Sequence, residues 1–197
     1  MNPSFKYILV INREQASQTL FLKAVARHWA QQKSIRGLLL HEDNLRTEHI
    51  IQEGVPRAQA SRLVARELNH RFVELLAEAG VAAVGFHLDH IARFSEHTID
   101  LDHNMVSKVP PKTHLVVSKV VPPESGEVDL FDLASHIAKQ LHIQMIIQLE
   151  HVNMQGILIQ SDPIQPSDYD KTSSSEAYHF VRWSIKEWEH AESLLDI

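Results

Sequence analysis

The chain has 197 residues, enough for one well-buried core with a small appendage. Its 44% hydrophobic and 22% charged content is ordinary for a globular domain, and a net charge of -6 argues against non-specific nucleic-acid binding. With no cysteine it has neither a disulfide framework nor a thiolate nucleophile. The N-terminal residues lack the pattern of a signal peptide, and no apolar run approaches the roughly 20 residues needed to span a bilayer. The expectation is a cytoplasmic protein with no membrane segment.

Taken in chain order, Tyr7–Ile11 reads as a buried strand and residues 16–33 as a helix. Leu38–Leu40 follow as a second strand, and residues 44–53 as a short helix closed by Gly54. Pro56 opens a long helix that runs through Ala79, with Gly80 as its C-terminal cap. Val81–Phe86 is a third strand, and residues 87–104 read as polar, histidine-rich and irregular. Met105–Val109 reads as a helix end, His114–Val121 as a strand stopped by Pro122-Pro123, and residues 124–127 as a turn. An amphipathic helix over 130–142 and a strand at Met145–Leu149 come next. Residues 161–175 have linker composition, and 176–194 read as a helix with Tyr178, Val181, Ile185 and Trp188 along one stripe. Strands alternating with helices of crossover length predict an α/β fold with a mainly parallel sheet. The expected organisation is an α/β domain over 1–160, a linker over 161–175 and a C-terminal helix over 176–197, packed on the domain or on a partner subunit.

The six glycines stand apart, so the chain has no glycine-rich phosphate loop. Backbone N–H groups can surround a phosphate only where side chains do not block the approach.

In order and spacing, segments across residues 5–160 nevertheless resemble the amino acid kinase family, which includes acetylglutamate kinase. Leu38-Leu39-Leu40-His41 is similar to the strand that ends in histidine and three glycines. The helix around Asn69 is similar to the family's long asparagine-bearing helix, and Ala83-Val84-Gly85-Phe86 to the strand after it. Asp132-Leu133-Ala134 falls on the helix of the family's catalytic aspartate, and Leu149-Glu150-His151-Val152 on the nucleotide-side strand. The resemblance implies a three-layer αβα sandwich of the carbamate kinase-like kind, with MgATP as cofactor if the kinase activity persists.

The departures fall on the chemistry. Val10 stands near the family lysine, Asn12-Arg13 replace a glycine pair, and Glu42-Asp43-Asn44 replace the three glycines. Two carboxylates set against a polyphosphate repel it. The resemblance therefore implies a degenerate, C-terminally shortened member: a pseudokinase that binds a small polar metabolite or acts as a regulator, as a homo-oligomer. Its alternative is a divergent kinase for a carboxylate or phosphate acceptor, with Arg13, Lys108 and Lys119 as substitute cations and Asp132 as the remnant catalytic carboxylate.

His41, Glu42, Asp43 and Asn44 follow a buried strand, where α/β folds bind ligands. They read either as a remodelled pocket for a cationic or polar ligand, or as a solvated loop in which Asp43 or Asn44 caps the next helix. Asn69 reads as pocket-facing or as a polar position on an exposed helix face. Asp132, or Asp129 beside it, also suits a helix N-cap. His87, Asp89 and His90, with His97, Asp100, Asp102 and His103 beyond them, form the densest set of metal-ligand types and raise a third reading, a histidine-rich metal-binding protein.

Overall fold

A computed structural model describes residues 5–31, 35–95, 98–122, 126, 128–149 and 179–183, the last five and residue 98 by backbone alone. The elements are β1 (Tyr7–Ile11), α1 (Arg13–Ala16), α2 (Thr19–Gln31), β2 (Gly37–His41), α3 (Arg46–Gln52), α4 (Arg57–Glu78), β3 (Ala83–His87), α5 (Leu88–Ile91), β4 (Ala92–Ser95), β5 (Thr98–Leu101), α6 (His103–Ser107), β6 (His114–Ser118), α7 (Leu130–Leu141), β7 (Met145–Leu149) and β8 (His179–Trp183).

Six strands form one sheet in the order β3-β6-β2-β1-β7-β8, parallel at every pairing. Strands β1, β2 and β6 are buried on both faces, which is why they read as unbroken apolar runs. On one face Tyr7, Leu9, Ile11, Leu39, Val116 and Ile147 pack beneath α2 and α4, against Leu22, Trp29, Leu68, Phe72 and Leu76. On the other, Ile8, Val10, Leu38, Leu40, Val117 and Ile146 pack against α7 and the β4–β5 hairpin. The expected three-layer αβα sandwich with a parallel central sheet is the architecture found.

Several expectations need correction. The helix expected over 16–33 is α2, beginning at Thr19, and a separate short helix, α1, precedes it. Asn12 caps α1 reciprocally with Gln15, and Ser17 ends it. The described residues of the stretch 87–104 form regular elements: α5 leads into β4, which pairs antiparallel with β5, and Asp102 caps α6. Ile99 and Leu101 turn into the core and Arg93 faces solvent, an alternation too short to stand out among polar neighbours. The C-terminal helix is also overturned where it is described. Residues 179–183 form β8 and pair in parallel with β7, so this segment belongs to the same sheet as the 1–160 region. His-Phe-Val-Arg-Trp is rich in aromatic and β-branched residues, and an unpaired edge on β7 would leave a row of backbone groups open. The linker expected over 161–175 lies outside the described residues.

Gly80 ends α4 with φ +77, the conformation expected of a glycine cap. Gly85 on β3 has a different reason: a Cβ there would come within 2.0 Å of the Asn69 side-chain oxygen. Asn69 sits between α4 and the sheet, 4% exposed, and its amide donates to Phe86 O at 3.1 Å and Val116 O at 3.3 Å. It is a buried brace rather than a polar position on an exposed helix face, and it is not among the residues that line the cleft described below.

Candidate functional site

The carboxyl ends of β1, β2 and β6 open onto a cleft of about 420 Å³. Arg13 comes from the turn after β1, Glu42 and Asp43 from the loop after β2, and Lys119–Pro122 from the segment after β6. The opposite wall is the start of α4, with Arg57, Ala58, Ser61 and Arg62, and Val128 closes the side nearest α7. Pro56 precedes α4 and provides no side-chain cap for it.

Among the described residues four cations and two carboxylates line the space, and every one of those cations has a carboxylate partner. Arg13 reaches Asp43 at 2.8 Å and Glu48 at 3.0 Å. Arg57 donates to both oxygens of Glu48 at 3.1 Å. Arg62 lies 3.7 Å from Asp89, and Lys119 lies 3.7 Å from Glu42. Asp43 is buried and also accepts from the Thr47 hydroxyl at 2.9 Å, which ties the β2 loop to α3. Partial burial works against the charge on Arg13, but Asp43 and Glu48 outweigh it and hold the guanidinium above its ordinary pKa. Burial raises the Glu42 carboxyl, and Lys119 opposes that rise.

The sequence candidates divide between this cleft and the core. Glu42 and Asp43 line the cleft. Asn44 does not; it accepts from Arg46 N at 2.9 Å, a turn contact beside α3. His41 is fully buried, with its ring 5.1 Å from that of Phe72 and Nδ1 2.8 Å from Glu42 O. Its Nε2 has no hydrogen-bond partner among the described residues, and burial pushes its pKa down to about 4. Asp132 is exposed in the first turn of α7 and outside the cleft lining; Asp129 is the cap, accepting from Phe131 N and Asp132 N. Of the substitute cations, Arg13 and Lys119 reach the cleft, whereas Lys108 lies on the C-cap of α6.

His87, Asp89 and His90 are neighbours, with the rings of His87 and His90 edge to face at 5.5 Å. His87 Nδ1 lies 2.6 Å from the Ser118 hydroxyl, and Asp89 lies near Arg62 and His90. Among the described residues no three histidine, aspartate or glutamate side chains are grouped to hold a metal ion. Arg57 and Arg62 are the contributors that the sequence reading missed. Their signal was a proline-led helix start with arginines on successive turns.

Among the described residues no helix is long and apolar enough to cross a membrane. No family model matches the chain, and no characterised relative matches it in sequence. Solved structures do match. An aspartate kinase from Synechocystis superposes with a TM-score of 0.58 at 13% identity, over 74% of this chain and 28% of that one. An isopentenyl phosphate kinase superposes at 0.54 and 13%, over 74% of this chain and 72% of that one. The substrate complex of an isopentenyl phosphate kinase gives 0.51 and 14%, over 73% and 69%. The chain therefore spans little more than a quarter of the aspartate kinase and about seven tenths of the smaller enzymes. At such identities the likeness is one of fold, and the fold is that of the amino acid kinases.

Proposed function

We propose that this chain is a non-catalytic binding or regulatory protein built on an amino acid kinase fold, with the cleft at the carboxyl edge of the sheet as the site for a small polar metabolite. The observation that carries the reading is the pairing of all four cations that line the cleft among the described residues with carboxylates of the chain itself. Phosphoryl transfer relies on positioned cations and N–H donors around the phosphates. Here Glu42 and Asp43 occupy the loop where such donors would stand, and their charge opposes a polyphosphate. The residues present do not fit MgATP. The cleft volume suits a small metabolite.

Calorimetric titration of the full chain with ATP, with and without magnesium, tests the reading. Absence of binding up to millimolar nucleotide is expected; saturable binding with turnover would overturn it. One observation favours the divergent kinase as a second reading: Arg13, Arg57, Arg62 and Lys119 converge on one cleft, as a phosphate site requires. That reading demands that nucleotide displace the internal carboxylates, so Asp43→Asn would tighten ATP binding.

A further inference from the structure

We propose that Glu48 is an autoinhibitory side chain: it fills, as an internal surrogate, the seat in which Arg13 and Arg57 hold the carboxylate of an incoming ligand. The inference rests on the ligand-binding reading of the cleft and adds the regulation of that site.

The seat is built from two guanidinium groups. Arg57 gives Nη1 to one oxygen of Glu48 and Nη2 to the other, both at 3.1 Å, and Arg13 adds Nη1 at 3.0 Å. Two parallel N–H bonds from one guanidinium are the way arginine recognises a carboxylate, whether it is a bound one or a side chain. Both arginines line the cleft, whereas Glu48 is not among the lining residues and reaches them from α3. The Arg57 bonds come first among the causes that hold the Glu48 carboxyl below its ordinary pKa, so the surrogate is fully ionised at neutral pH.

Three features make Glu48 displaceable. Arg13 does not depend on it, because Asp43 already takes Nε at 2.9 Å and Nη2 at 2.8 Å and keeps that guanidinium in place. Helix α3 does not depend on it either. Asp43 holds Thr47 at 2.9 Å, Arg46 pairs with Glu67, and Ile50 packs with Ala60 and Val64. Finally, the Glu48 and Arg57 side chains are 41% and 62% exposed, and ion pairs so open to water are weak. An acid that enters the cleft and takes Arg57 therefore removes only a loose internal rival. With Glu48 turned away, Arg57 is the one lining cation with no carboxylate of the chain in reach among the described residues. The ligand class that follows is an organic acid, since the donors that hold a side-chain carboxylate also hold a free one.

The test titrates the full chain with succinate at constant ionic strength and follows the guanidinium Nε–H resonances of Arg13 and Arg57 by NMR. Both should move saturably in the unaltered protein. Glu48→Gln should lower the half-saturating concentration about three- to fivefold, because the ligand no longer has a surface ion pair to break. Glu67→Gln removes an equal charge from the Arg46 pair and should leave that concentration unchanged. Arg57→Gln added to Glu48→Gln should abolish the gain. All of these side chains are exposed, so circular dichroism should be the same throughout. Equal half-saturation in the unaltered protein and Glu48→Gln would overturn the proposal. So would a gain shared by Glu67→Gln, or arginine resonances indifferent to succinate in every variant. None of these outcomes removes the ligand-binding reading, which falls only if the chain binds and turns over MgATP.

Discussion

The two ends of the parallel strands use similar residues in opposite ways. At the amino end, His114 accepts from Gly37 N at 3.2 Å, and Trp29 stacks on its ring at 4.4 Å with Tyr7 edge-on beyond. Arg36 covers the Phe5 ring at 4.1 Å and donates to Thr113 O at 2.6 Å. Aromatic packing fills that end, and His114 and Arg36 bond backbone there. At the carboxyl end the arginines meet carboxylates, partly in solvent, around an open space. One end resembles a protein interior; the other is an adjustable set of charges. Stability should therefore reside at the amino end, and response to ligands at the carboxyl end.

The largest expected effect breaks the amino end. Trp29→Ala removes a fully buried ring and should cost about 3–5 kcal/mol in chemical denaturation. A loss below about 1 kcal/mol would show that the aromatic stack is dispensable. Gly37→Ala should cost about 1–3 kcal/mol, since its Cβ would lie 2.7 Å from the Tyr7 ring.

Acid should weaken both ends. The folded-state pKa values of His41 and His114 are pushed down to about 4, in each case first by burial, with Arg36 adding to the effect at His114. An unfolded histidine takes its proton near pH 6.5. Stability is therefore full above that value and is lost progressively as pH falls from about 6.5 to 4, by on the order of 3 kcal/mol per histidine. Melting temperature followed from pH 7.5 downward checks the sign, and a curve flat to pH 5 would contradict it. His114→Gln should flatten the descent.

Two smaller effects sharpen the contrast. Asp43→Asn takes a charged acceptor from Arg13 and Thr47 and should cost about 1–2 kcal/mol, less than a deeply buried pair because Arg13 is a third exposed. Asp132→Asn should change melting by no more than about 0.5 kcal/mol and leave ligand binding in the cleft untouched. Loss of a measurable activity in that variant would restore the remnant catalytic role to Asp132.

What the sequence could reveal follows from how local each signal is. Strands β1, β2, β6 and β7 were legible because burial on both faces makes an apolar run of their own residues. The β8 segment was not, because Val181 fits a helical stripe equally well and only a distant neighbour, β7, decides between the two. Glu42, Asp43, Arg13 and Lys119 were legible as residues that follow strand ends. Arg57 and Arg62 were hidden, since arginines on an outward helix turn look alike whether or not a cleft lies beside them. The burial of Asn69 was not legible, because its brace depends on the space that Gly85 leaves on another element.

Glu48 has one oxygen on Arg13 and both on Arg57, so a single surface carboxylate ties the turn after β1 to the first turn of α4. Such a clasp lives in solvent, where mobile ions compete for it, and at physiological ionic strength charges are screened beyond roughly 8 Å. The entrance to the cleft is thus set partly by the medium. Dilute buffer draws its two sides together, concentrated salt lets them part, and a guest that engages Arg57 loosens the hold on Arg13 across the mouth.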